Sequence, residues 1–364
     1  MPRPPAARRR RLGGILLDTG PLGRHRDFRR LWAGQLVSQL GSQLTIVAVA
    51  YQAYRLTGST PVVGLVSLGQ LVPLLAGSLL GGPVVDAWDR RRMMLFTQLM
   101  LAAGSAGLAV NAMLGHPRLW PIVACTAEAA AFQGLDWSAR RASLRRLIPP
   151  EDLAAGLSLQ SAALQVTTVV GPAAAGLLIA HVGFGLVYGL DVASFAVAFG
   201  SVALLPPLRP ERGGQPISLA SLLGGLRFLR SSQPLAGVFV IDLGAMVFGL
   251  PRALFPALAD TVFGGGAATA GYLNAAPGVG ALIGSLLTGR VSRVHRAGRA
   301  VAVCGPRLGG TEAGAAAAIG GPQFAAWTGG LLSAATALLT CWLLPGIWRY
   351  DARSHADPAL TAAG

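Results

Sequence analysis

Gly81-Gly82-Pro83-Val84-Val85-Asp86-Ala87-Trp88-Asp89-Arg90-Arg91-Arg92 joins two long apolar runs, 61–85 and 93–115. An acidic residue followed by an arginine cluster, in so short a turn between membrane-length segments, is rare by chance. A helix needs roughly 20 apolar residues to cross a ~30 Å hydrocarbon core. Working outward, further runs of that size lie near 31–54, 119–138, 157–181, 184–207, 236–258, 270–290, 300–319 and 323–345. The set of about ten has one poor member, the run containing Arg307 and Glu312. Hydrophobic residues make up 52% of the chain and charged residues 12%, with a mean hydropathy of +0.54. These values lie outside the range of soluble domains and predict an all-α polytopic membrane protein.

The net charge of +15 invites a nucleic-acid reading, but the placement of the charge excludes it. All thirty basic residues are arginines, and with these spans 26 of them fall on one side of the membrane. They occupy the stretch before the first span, the 2–3 and 4–5 loops, the central loop, the 8–9 loop and the C-terminal tail. Arg55 and Arg118 fall on the other side, and Arg252 and Arg307 within spans. This positive-inside pattern puts both termini in the cytoplasm and the chain in the cytoplasmic (inner) membrane. The basic arm, Arg8 to Arg11 and then Arg24 to Arg30, reads as a topology signal and an anionic-lipid contact. The first thirty residues lack the apolar core of a cleavable signal peptide. Cys125, Cys304 and Cys341 have neither disulfide nor metal-ligand spacing.

The expected organisation is a basic arm over 1–30, a six-helix bundle over 31–207, a connector with a surface helix over 208–235, a shorter bundle over 236–345 and a tail over 346–364. Six spans followed by four is unusual for a membrane protein built from repeated halves.

Span 1 carries Gln35, Ser38, Gln39, Ser42, Gln43 and Thr45 within about 160° of one another at 100° per residue. Such a face is costly against lipid, so it lines a cavity or hydrogen-bonds neighbouring helices. Cavity lining is the favoured expectation, with Gln160, Gln165 and Thr168 of span 5 on the same space. The intramembrane carboxyl groups are Glu128, Asp191, Asp242 and, in the poor run, Glu312. Each is a functional candidate because an ionisable group in hydrocarbon is expensive to keep. Glu128, at mid-span, is the leading candidate to take up and release a proton, with Asp191 and Asp242 beside it. For all three the competing role is helix packing. Asp136 is expected to pair with Arg140 or Arg141. The glycine clusters lack the strand and lysine of a phosphate loop, and the five histidines are isolated. No cofactor, metal site or enzymatic centre is expected.

The opening stretch resembles the loop after the second span of major facilitator superfamily transporters. Other pieces are similar to the enterobactin-exporter-like and macrolide-efflux-like branch of that superfamily: Arg26-Asp27-Phe28-Arg29-Arg30-Leu31-Trp32, Arg55-Leu56-Thr57-Gly58-Ser59, Leu147-Ile148-Pro149-Pro150-Glu151 and Pro251-Arg252-Ala253-Leu254-Phe255-Pro256. The resemblance implies a major facilitator fold and a gate formed by Gly82, Asp86, Arg90 and Arg91. In that gate, Asp86 contacts an opposing helix terminus and a nearby arginine, and Gly82 allows close packing. Ala87 and Asp89 depart from the general motif. Gly171-Pro172-Ala173-Ala174-Ala175-Gly176 resembles an antiporter motif, with Ala175 where a second glycine is usual. Arg252 joins Gln35, Gln39, Gln43 and Gln165 as a cavity candidate. Arg299 to Cys304 resembles the start of a ninth span, whereas Gly305 to Gly314 resembles part of an eleventh. The implied deletion fuses spans 9 and 11 and leaves the charge rule intact.

The expected function is proton-coupled export of hydrophobic drug-like compounds or a siderophore by alternating access. Its partners would be a small-molecule substrate, the proton gradient and the bilayer. The alternative is a membrane remnant that lacks about two spans and does not transport.

Overall fold

The computed structural model describes residues 18–208 and 252–291, together with Thr328, Leu331, Ala335 and Leu339. The side chains of 79–87 and 283–291 also fall outside the description, as do Asp242, Glu312, the proposed fusion and the surface helix of the connector. Among the described residues every regular element is helical. The order is α1 (Gly20–Arg24), α2 (Arg26–Thr57), α3 (Thr60–Ala87), α4 (Arg90–Met113), α5 (Leu119–Leu147) and α6 (Pro150–Ala203). A wound segment over 252–262, tight at its start and wide over Leu258–Val262, and α7 (Gly266–Val291) follow.

By length and apolarity, Thr60–Ser78, Arg90–Met113 and Pro150–Ala203 can cross a membrane. The polar face of α2 and the polar residues Glu128, Gln133 and Asp136 of α5 keep those two helices out of that group, although both are long enough. A straight α6 of 54 residues would be about 80 Å long, far beyond one bilayer. It is divided at Gly183, where φ is 79° and ψ is 176°. That conformation is open in practice only to glycine. The arms 150–182 and 184–203 correspond to two of the apolar runs, with Pro172 inside the first.

The surface and interior are inverted relative to a soluble protein. Val72 is 72% exposed, Met113 78% and Trp120 66%, whereas Gln52, Gln98, Asn111, Asp136, Arg140 and Asp191 are all buried. Apolar side chains outside and hydrogen-bonded polar groups inside are what hydrocarbon requires. Helix α2 lies along α6, α3 along α5, and α4 between α5 and α6; α7 packs on α6.

Short polar connections set the helix ends. Asp89 caps α4 by accepting from the amides of Arg91 at 2.9 Å and Arg92 at 3.3 Å. It also accepts from the amide of Leu208 at 3.4 Å, while the amide of Arg90 donates to the Leu208 carbonyl at 3.1 Å. The exit from α6 is thereby tied to the arginine-rich turn between α3 and α4. At the opposite end, Asn111 bridges both backbone groups of Arg118 at 3.0 Å and fixes the α4–α5 turn.

Two stability changes follow. Asp89→Ala should cost about 0.5–2 kcal/mol through loss of the cap, and Asp89→Asn should retain most of it. Gly183→Ala should cost about 1–3 kcal/mol because alanine is strained in that conformation. Thermal unfolding of the purified chain in detergent checks both.

Candidate functional site

The polar face of α2 is divided between the two arms of α6. Gln160 Nε2 donates to Gln35 Oε1 at 3.4 Å, and the Gln43 stem rests where a side chain on Gly171 would stand. Gln39 Oε1 is buried without a hydrogen-bond partner. Gln35 and Gln43 therefore face the first arm, Gln35 at Gln160 and Gln43 at Gly171. The adjoining stripe, Gly34, Ser38, Gly41 and Thr45, recurs at intervals of four, three and four residues. Gly34 and Gly41 meet Ser201 and Ser194 of the second arm.

That second contact contains a buried carboxyl group. Asp191, 1% exposed, lies among α2, α4 and the second arm of α6. Its Oδ2 accepts from Thr45 Oγ1 at 2.6 Å and from Ser105 Oγ at 2.7 Å. Ser194 Oγ reaches Oδ1 at 3.3 Å while donating to the Asp191 carbonyl at 2.7 Å. No basic side chain forms an ion pair with Asp191 among the described residues. A Cβ on Gly41 would come within 2.5 Å of Oδ1, so the absence of a side chain at 41 lets α2 seat against the carboxyl. One turn away, Tyr188 Oη donates to Gln52 Oε1 at 2.7 Å, a second buried link between α2 and the second arm.

Glu128 lies on the other side of α4. Its Oε2 sits 2.8 Å from where a Cβ on Gly104 would stand, and it is only half buried. Gly104 and Ser105 are consecutive, so Glu128 and Asp191 flank α4 at the same depth. Hydroxyl donors surround Asp191; Glu128 has no hydrogen bond among the described residues.

The arginine-rich turn serves neighbouring helices. Arg91 Nη2 donates to the Ala203 carbonyl at 2.7 Å and Nε to that of Val202 at 3.4 Å, capping the C-terminal end of α6. Arg90 Nη1 donates to the Ala142 carbonyl at 3.2 Å. Gly82 and Asp86 lie in the last turns of α3, and their environment falls outside the described residues. Asp136 pairs with Arg140 on the same helix and accepts from Thr97 at 2.9 Å and Gln98 at 3.2 Å.

The antiporter-like stretch meets α7 at close range. A Cβ on Gly176 would lie 2.6 Å from the Ala267 carbonyl oxygen and 2.8 Å from the Gly271 Cα. The backbones touch with no side chain between them. Arg252, half-buried, begins the wound segment, and Gln165 lies half-buried on α6. Neither the hydroxyl donors to Asp191 nor the capping role of Asp89 is among the expectations from sequence. The small-and-polar stripe on α2 was the available signal for the first, and an aspartate directly before a helix for the second.

Residues 19–318 match the transmembrane secretion effector family. The chain is similar to the enterobactin exporter EntS of Shigella boydii serotype 4 (strain Sb227), at 30% identity over 283 residues covering 78% of this chain and 68% of that protein. The enterobactin exporter EntS of Escherichia coli O139:H28 (strain E24377A / ETEC) matches at the same identity and coverage. Among solved structures, a peptide transporter (POT) in complex with alafosfalin superposes with a TM-score of 0.58 at 10% identity, covering 94% of this chain and 99% of that one. A bacterial homolog to the human lysosomal transporter Spinster gives 0.53 at 14% identity, covering 88% and 78%. These identities speak to the fold alone. With a polytopic helical fold, an inward polar face on α2 and a family match over most of its length, the chain belongs to the transmembrane secretion effector family and is a membrane transporter of the major facilitator type.

Proposed function

We propose that this chain is a secondary exporter that moves a hydrophobic small molecule out of the cytoplasm by alternating access, driven by the proton gradient. Asp191 carries the reading. It is a buried intramembrane carboxyl group served by three hydroxyls and joined to no basic side chain among the described residues. Such a group is costly to maintain and suits reversible protonation. Glu128, across α4, is the second candidate, and Asp242 a third. The one-sided arginines support a cytoplasmic-membrane location with both termini inside.

In this reading Gln35, Gln39, Gln43, Gln165 and Arg252 face the substrate path. Pro172 and Gly176 form the surface on which α6 slides against α7, and Gly171 seats the Gln43 stem of α2. Gly82, Asp86, Arg90 and Arg91 form the cytoplasmic closure. The enterobactin exporters among the relatives favour a siderophore as substrate, with drug-like hydrophobic compounds as the broader class. The direct succession of Arg299–Cys304 and Gly305–Gly314 favours a second reading, in which about two spans are missing and transport is lost.

Inverted membrane vesicles containing the chain test these readings, with a lipophilic fluorescent cation and enterobactin as separate substrates. Uptake should depend on an imposed proton gradient and fall to the no-gradient level in Asp191→Asn, while Glu128→Gln retains it. The opposite pattern moves the coupling role to Glu128. Loss in neither variant rules out coupling through either, and no uptake of either substrate despite verified insertion supports the remnant reading.

A further inference from the structure

We propose that Tyr51 and Asp260 form a latch that holds the two halves of the transporter together at the end of α2 remote from the arginine-rich turns. Opening on that side requires this bond to break. The inference rests on the alternating-access reading above and adds the residues that keep one side closed.

Tyr51 is buried, and its Oη donates to Asp260 Oδ1 at 2.7 Å, linking positions 209 residues apart. The phenol is positioned from both sides. Phe184, on the second arm of α6, lies with its ring centroid 6.2 Å away at an interplanar angle of 35°. On the other side Gly266, at the start of α7, approaches the same hydroxyl: a Cβ there would stand 3.5 Å from it. Asp260 sits in Leu258–Val262, a wide helical turn of a kind that recurs at functional sites. The Phe263 and Gly265 amides close that turn on the Leu258 and Ala259 carbonyls, each at 3.0 Å. The chain then reverses through Gly264 at φ 62° and Gly266 at φ 57°. The carboxylate is thus presented to α2 by a rigid corner.

The surrounding seam is suited to parting. Val47 and Ala48 of α2 and Ala175 and Ile179 of α6 share one apolar cluster with Ala253, Ala259, Ala267 and Ala270 of the other half. Small side chains of this kind interlock little and leave no buried polar group stranded on separation. The Tyr51–Asp260 bond is directional, and parting the halves would lose it. It is also wired inward, because the same helix holds Thr45 on Asp191 and, at the residue next to Tyr51, Gln52 on Tyr188. A displacement of α2 that breaks the latch also strains the hydroxyl contact to Asp191, so the latch and the buried carboxyl move as one unit.

The test uses a single reporter cysteine, Ala270→Cys, in the full chain with Cys125, Cys304 and Cys341 replaced by alanine. Position 270 is buried in the seam, 1% exposed. A membrane-impermeant maleimide is applied to right-side-out and to inverted vesicles. Tyr51→Phe, which keeps the ring and its packing, and Asp260→Asn should each raise the labelling rate about three- to tenfold on one face, and the double variant no further. Unchanged rates on both faces, or a double-variant increase equal to the product of the single ones, overturn the latch. The readout needs no substrate, so a chain that fails to transport still answers. An increase confined to the inverted face supports the latch and overturns the proposed topology.

Discussion

A carboxyl group among lipid-facing helices has no water to turn to, so the protein itself must supply its hydrogen bonds. Around Asp191 this constraint organises the first half of the molecule. Thr45 comes from α2, Ser105 from α4 and Ser194 from α6, and the missing side chain at Gly41 makes room for all three to converge. Helix α2 is held most firmly by this arrangement. It contributes Thr45 and, about two turns on, the neighbours Tyr51 and Gln52, to three different partners. A buried polar network of this kind is worth most when every member is satisfied, and the geometry around Asp191 approaches that condition.

The contact between the halves follows a different physical rule. Gly176 and Gly271 bring the backbones of α6 and α7 together without side chains between them, and alanines cover much of the remaining seam. In hydrocarbon, where apolar side chains gain little by leaving lipid, close backbone approach supplies the association through van der Waals contact. Such a surface is tight when closed and has no interlocking side chains to hinder separation. Specific closure then falls to the few polar links across it, and Tyr51–Asp260 is such a link.

The arginine-rich turn illustrates how one feature acts on two levels. Its run of charge is legible from the amino-acid string. Its geometry is local carpentry: Asp89 caps α4 and binds the Leu208 amide, Arg91 covers the final carbonyls of α6, and Arg90 holds a carbonyl of α5. Asp89, which departs from the general family motif, is at that position the residue that starts a helix. Stabilisation of helix termini by charge-assisted hydrogen bonds explains why aspartate and arginine are both useful in so short a turn.

The helical class, the membrane setting and the positions of the helices over 26–203 were legible in the sequence, because hydrocarbon imposes long apolar runs that appear in any window of residues. The break at Gly183 was legible as a gap between two such runs. The Asp136–Arg140 pair was legible too, because i,i+4 spacing is local. The partners of Asp191 were not, since Thr45 and Ser105 lie 146 and 86 residues away and become neighbours only when three helices pack. Periodicity alone likewise left the glutamine face of α2 open between cavity and helix contact; packing split it, turning Gln35 and Gln43 to one arm of α6 and Thr45 to the other. Sequence determined which helices form and which faces are polar, because those depend on composition and local spacing. Tertiary structure decided which polar groups meet, because a hydrogen bond depends on ångström distances between helices that periodicity does not encode.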